Sequence, residues 1–140
     1  MMDAPGSTYA PPQVDRLVGD HLADLVDAPA TAGVALPPDY RREGPPALVV
    51  SDDGGGILWP VKLDTTIRIT VYGVTRTKAK GMAAWAMGIV MAQRIPGVAH
   101  LWNPSGILSA VDSRTGAYMA SFTVAARARL TASQTSRYVP

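Results

Sequence analysis

Residues 64–94 read DTTIRITVYG, VTRTKAK, GMAAWAMGIVMAQR, and the change of period along them decides the fold. In the first block Ile67, Ile69 and Val71 alternate with Thr66, Arg68, Thr70 and Tyr72. Side chains two apart share one face of a strand, so this period predicts a half-buried strand from Asp64. In the last block Met82, Trp85, Ala86, Ile89, Val90 and Gln93 fall on one stripe at helical spacing, which predicts a helix over 77–94. Gly81, Ala84, Gly88 and Ala92 make a second stripe of small residues, along which another backbone has room to approach. Thr75 or Thr77 supplies a capping oxygen at the start, and Pro96-Gly97 stops the helix.

Working outward toward the N-terminus, Ala47–Ser51 (ALVVS) is a short continuous apolar run and reads as a buried strand. Asp52-Asp53-Gly54-Gly55-Gly56 after it reads as a flexible loop. It has no GxxxxGK pattern and no helix opening behind it, and two aspartates at its head repel phosphate, so it does not read as a phosphate cradle. Ile57-Leu58-Trp59 beside it is either a docking surface or a segment folded back on the core. The prolines at 29, 37, 38, 45 and 46 exclude a helix or central strand between them, leaving Val34–Leu36 as a short edge strand. Val14–Asp27 is an amphipathic helix: Val14, Leu17, Val18, His21, Leu22, Leu25 and Val26 face the core, and Asp20, Asp24 and Asp27 line the wet face. His21 lies on the apolar stripe with no obvious partner.

Toward the C-terminus, Val98–Trp102 reads as a strand broken at Asn103-Pro104-Ser105-Gly106. Ile107–Asp112 and Ala117–Leu130 flank a hairpin loop, Ser113–Gly116. On the last strand Tyr118, Ala120, Phe122, Val124, Ala126, Ala128 and Leu130 share one face, while Arg127 and Arg129 end the other. The expected fold is α+β: a mainly antiparallel sheet with two helices, at 14–27 and 77–94, packed on one face. Residues 13–131 form a single domain, between a flexible arm at 1–12 and a polar tail at 132–140.

An apolar fraction of 47% with 17% charged residues is ordinary for a globular chain of 140 residues, a length sufficient for one core. No apolar run reaches the roughly 18 residues of a membrane helix, and MMDAPGST lacks the basic and apolar regions of a signal peptide, so no membrane association is expected. The absence of cysteine fits a reducing compartment. The net charge of +2 hides an asymmetry: residues 1–61 hold three arginines against eight aspartates and one glutamate, whereas residues 62–140 hold ten lysines and arginines against Asp64 and Asp112. Three arrangements fit it. The acidic helix lies over basic strands within one subunit, the acidic surface of one copy meets the basic surface of the next, or the basic half touches nucleic acid.

The residues carry no recognisable reaction chemistry. His21 and His100 with no cysteine give no metal spacing, and Ser105 lacks the GxSxG elbow. Asp52 and Asp53 are adjacent in what reads as a solvated loop, and the aromatic residues are scattered rather than set as a base-stacking platform. His100, near Trp102, is the one candidate for a site. No catalytic residue, metal or cofactor is expected.

The order of these elements resembles the tail terminator proteins of long-tailed bacteriophages, in a form typical of phages of high-GC actinobacteria. The likeness runs over residues 14–131. It comprises the amphipathic first helix, the proline-rich segment leading to ALVVSDDGGG, the strand and helix of 64–94, and a hairpin ending in YMASFTVAARARL. The resemblance implies a structural virion protein at the head–tail junction. Such a protein forms a hexameric ring on the tail tube, stops tube growth and presents the surface that joins the head-completion protein, with DNA passing through without sequence-specific binding. A ring needs two unlike patches on each subunit. Asp20, Asp24 and Asp27 are the acidic candidates and Arg68, Arg127 and Arg129 the basic ones, with Ile57, Leu58 and Trp59 as an apolar contact. Two alternatives stand beside this reading: another neck component such as a head-closure protein, and a small-molecule-binding domain using Gly54–Gly56 and His100.

Overall fold

A computed structural model describes residues 8–133 and Pro140. In chain order the elements are β1 Thr8–Ala10, α1 Val14–Leu25, β2 Thr31–Gly33, β3 Ala47–Leu58, β4 Lys62–Gly73, α2 Arg76–Ala92, β5 His100–Trp102, β6 Leu108–Val111, β7 Tyr118–Arg129 and β8 Thr131–Ser133. The main sheet runs β2-β3-β4-β7-β5, with β6 also paired to β7, and β1 pairs with β8 in a separate ribbon. Every pairing is antiparallel except β2 with β3. This is the expected α+β architecture.

Register explains the core. Leu48 faces Val71 and Val50 faces Ile69 across β3 and β4, while Ile67, Ile69 and Val71 face Val124, Phe122 and Ala120 across β4 and β7. Directly opposed residues project to the same side, so these chains form one apolar face. Both helices lie on it: α1 contributes Val14, Val18 and Leu22, and α2 contributes Ala79, Ala83, Ala86 and Val90, all in one buried cluster. α1 sits over β2 and β3, α2 over β4 and β7.

α2 buries a narrower stripe than its periodicity predicts. Its contact is built from alanines, which let the helix lie close to the sheet, and Met82, Trp85 and Ile89 flank it half-buried. Gly81, Ala84, Gly88 and Ala92 are exposed, and a Cβ on Gly81 or Gly88 would meet nothing, so among the described residues no backbone uses that stripe. The Thr75 hydroxyl accepts from the Lys78 N–H at 3.2 Å and is the cap. His21 does have a partner: its Nε2 donates to Gln93 Oε1 at 3.0 Å, tying α1 to the end of α2.

Three expectations are corrected. Asp52–Gly56 is not a loop but the middle of β3, paired with β4 from Gly54–Thr66 through Gly56–Asp64, with a bulge between Asp52 and Gly54. The low strand propensity of glycine is overridden here by the β4 ladder and by crowding, since a Cβ on Gly55 would stand 2.0 Å from the Asp64 carbonyl oxygen. The bulge places Gly54 at φ +94, a conformation that favours glycine. The edge strand beside β3 is Thr31–Gly33 rather than Val34–Leu36. Finally, Thr8–Ala10, within the expected arm, pairs with Thr131–Ser133. The rest of the arm, 1–7, and tail residues 134–139 lie outside the described residues.

Candidate interaction surface

With both helices on one face, the polar side of the sheet is left open. β4 sets Lys62, Asp64, Thr66, Arg68, Thr70 and Tyr72 on this side, and β7 adds Met119, Ser121, Thr123, Ala125, Arg127 and Arg129. Opposite Arg127 across β5 lies His100, and opposite Ala125 lies Trp102, so both rings share this face.

The charged groups on the open face form two ion-pair groups. Arg68 reaches Asp53 Oδ2 through Nε and Nη2, each at 3.0 Å. Arg127 grips Asp64 with two contacts, Nε to Oδ1 at 2.7 Å and Nη2 to Oδ2 at 3.3 Å, while Lys62 Nζ stands 3.2 Å from the same carboxylate. Arg127 also lies 5.2 Å from the Trp102 ring centroid, and His100 stacks on Trp102 at 5.0 Å with an interplanar angle of 10°. Arg129, opposite Lys62, is exposed and makes no ion pair among the described residues. Val61, Lys62, Ala99, Arg127 and Arg129 line an open cleft of ≈ 450 Å³.

The charge on these groups responds to the geometry. Hydrogen bonding from Arg127 holds the Asp64 carboxyl below its ordinary range, with Lys62 adding and partial desolvation opposing. The Asp64 hydrogen bond in turn raises Arg127. A carboxylate with a lowered folded pKa contributes stability above its unfolded value, about 4, and that contribution is lost as pH falls through the folded value. Urea midpoints measured between neutral and strongly acidic pH are therefore expected to fall less steeply for Asp64→Asn than for the wild type. The difference should be small because the pair is exposed, and identical slopes would show that the pair contributes nothing.

The acidic candidates sit elsewhere. Asp20, Asp24 and Asp27 are exposed around the outer side and end of α1 and make no ion pair among the described residues. α1 therefore does not neutralise the basic strands within the subunit: it covers the apolar face, and the arginines of β4 and β7 lie on the opposite one. In order across the sheet, the acidic helix stands at the β2–β3 end and Arg127 and Arg129 near the β5 end.

The third candidate group, Ile57, Leu58 and Trp59, forms the tip of the β3–β4 hairpin. These residues are 49%, 58% and 59% exposed. Tyr9 meets Trp59 edge-on, at 6.4 Å and 81°. The segment thus projects rather than folding back onto the core.

The structure brings Arg127 and Arg129 together with Lys62. It leaves Arg68 further along β4 in its own pair, and it keeps α1 and the hairpin tip apart from both. Sequence reasoning missed Asp53, Lys62, Asp64 and Trp102. The His-Leu-Trp alternation at 100–102 already places His100 and Trp102 on one side of a strand, but the register that adds Arg127 is set by pairing 23 to 27 residues away in sequence. Among the described residues no three His, Asp or Glu side chains are grouped to hold a metal ion, and no helix is long and apolar enough to cross a membrane. No protein-family model, curated protein or solved structure matches this chain.

Proposed function

We propose that this chain is a structural virion subunit that assembles as a ring on the end of a phage tail tube. There it ends tube growth and presents the surface that joins the head. One observation carries the reading: each subunit exposes an acidic helix, at Asp20, Asp24 and Asp27, without ion pairs among the described residues at one end of its sheet, and a basic group, at Arg127 and Arg129 on β7, toward the other. Unlike patches at opposite ends suit head-to-tail contacts, which close into rings, better than they suit a two-fold dimer. Electrostatic matching of this kind selects the partner and its orientation. The order of elements that resembles tail terminators adds support from the sequence.

The small-molecule alternative has less support, because the Gly54–Gly56 segment it would use as a loop is a paired strand. His100 is stacked on Trp102 beside the arginines and fits the same contact surface.

The test is a tube-growth assay. Purified chain added to polymerising tail tube protein is expected to shorten the tubes in proportion to its concentration and to appear at one tube end only. The triple substitution Asp20→Lys, Asp24→Lys and Asp27→Lys, on exposed positions, is expected to abolish the effect while leaving the fold intact. Tubes of unchanged length in the presence of excess wild-type chain would reject the proposal.

A further inference from the structure

Among the described residues the main sheet leaves strand edges open on both sides. β2 covers β3 only from Ala47 to Val49, so among the described residues no strand pairs with the outer side of β3 from Val50 to Leu58. That is a free edge of roughly 30 Å at the usual strand rise. At the other end, β6 pairs with β7 on one side, and no described strand pairs with its outer side. Long free edges present rows of unpaired N–H and C=O groups, which proteins usually blunt with charged side chains, bulges, proline or cover. β3 has such protection at Asp52–Gly54, where two aspartates flank the bulge and the Asp52 carboxylate accepts from the Gly54 N–H, whereas Gly55–Leu58 holds no charge, proline or bulge.

The exposed apolar residues are concentrated at these same two places. Ile57, Leu58, Trp59 and Val61, at the end of the β3 edge, are 49–59% exposed. Leu108 and Val111, on β6, are 68% and 55% exposed. Every other exposed large apolar side chain among the described residues is at 41% or less. Exposed apolar surface concentrated in this way marks contact sites rather than background.

We infer that the β3 edge of one subunit receives the β6 edge of a second copy as an added strand, so that the sheets of neighbouring subunits are continuous. This deepens, and rests on, the ring reading above. The polarity fits: β3 is antiparallel to β4, β4 to β7 and β7 to β6, so β6 runs antiparallel to β3 and a head-to-tail neighbour meets it in antiparallel pairing. β2 fixes where the neighbour enters. Because β2 already holds Ala47–Val49, the incoming strand starts beyond it, and the neighbouring subunit is offset toward the hairpin tip. That offset brings β6 beside the glycine run. On the open face nothing stands within 4 Å of where a Cβ on Gly54 or Gly56 would lie, which leaves room for Leu108 of the neighbour on that face.

The edges can be tested separately in the full chain by light scattering and sedimentation velocity. Ile57→Lys with Leu58→Lys disables one edge, and Leu108→Lys with Val111→Lys disables the other. All four positions are exposed, so thermal unfolding should stay close to wild type. Each double variant is expected to weaken self-association about tenfold or more, because an unpaired charge must then be desolvated at the contact. Mixed together, the two variants still own one intact edge each and should form a one-to-one heterodimer and nothing larger. Assemblies that survive both double variants would overturn edge pairing while leaving the ring reading standing. A wild-type chain that stays monomeric at its highest soluble concentration would also overturn it, and tube capping by that chain would show the ring reading to be independent. Self-association of the β6 variant through two β3 edges would overturn the head-to-tail arrangement.

Discussion

Gly55→Ala is expected to destabilise the chain by about 3 kcal/mol or more, the upper range for overpacking a site that cannot yield. The reason is that the obstruction is backbone: a Cβ on Gly55 would lie 2.0 Å from the Asp64 carbonyl oxygen and 2.6 Å from the Thr65 Cα. No rotamer change relieves such a contact. Relief requires β3 and β4 to separate along the stretch where Asp52 accepts from the Thr65 hydroxyl and Gly54 N–H donates to the same carboxylate. Gly56→Ala is the control: the added methyl meets nothing and no unusual φ is required. It should be neutral or slightly stabilising, through reduced freedom of the unfolded chain. Chemical denaturation of the two variants measures the contrast. Equal stabilities would mean that the glycine run is not held in the β3–β4 ladder.

Phe122→Ala should cost about 3–5 kcal/mol, with a fall in melting temperature on the order of 10–20 °C. Phe122 heads the largest fully buried side chains at 1% exposure and lies opposite Ile69 at the centre of the face that both helices cover. Removing the ring leaves a cavity that the surrounding strands cannot close, because β7 is fixed to β4 over twelve residue pairs from Lys62–Arg129 to Gly73–Tyr118. Ser121, the neighbour on the open face, offers the comparison. Ser121→Ala changes no core volume and should shift stability little, so calorimetry of the pair separates burial from strand propensity. A loss below about 1 kcal/mol for Phe122→Ala would contradict the position of the core.

These two residues also show what was legible in the sequence. Phe122 could be assigned to the core from alternation alone, as could Ile67, Ile69, Val71 and the stripe of Val14, Val18 and Leu22, because period two and period 3.6 are properties of local sequence. Gly55 could not. Three consecutive glycines have poor strand propensity, and only the opposing ladder of Leu63–Thr66 makes a strand of them. Thr75 was one of two capping candidates, and α2 spans Arg76–Ala92 rather than 77–94; its buried stripe was not legible either, since the alanines at 79, 83 and 86 displaced the larger Met82 and Trp85 to the flanks because the helix lies close to the sheet.

The interaction surface divides in the same way. Asp20, Asp24 and Asp27 were readable as an exposed acidic face because helical spacing puts them there. The pairing of Arg127 with Asp64, and its approach to Trp102, required the β4–β7 and β5–β7 registers, which join residues more than 20 positions apart. The free edge of β3 was hidden by the same error that made its glycines a loop.

The central claim, that this subunit closes the end of a tail tube, is tested most directly on particles. Electron microscopy of virions assembled with the gene silenced is predicted to show headless tails of abnormal, uncontrolled length. Tails of normal length beside filled or leaking heads would contradict it and move the protein to the head side of the joint, and intact virions would remove it from the neck altogether.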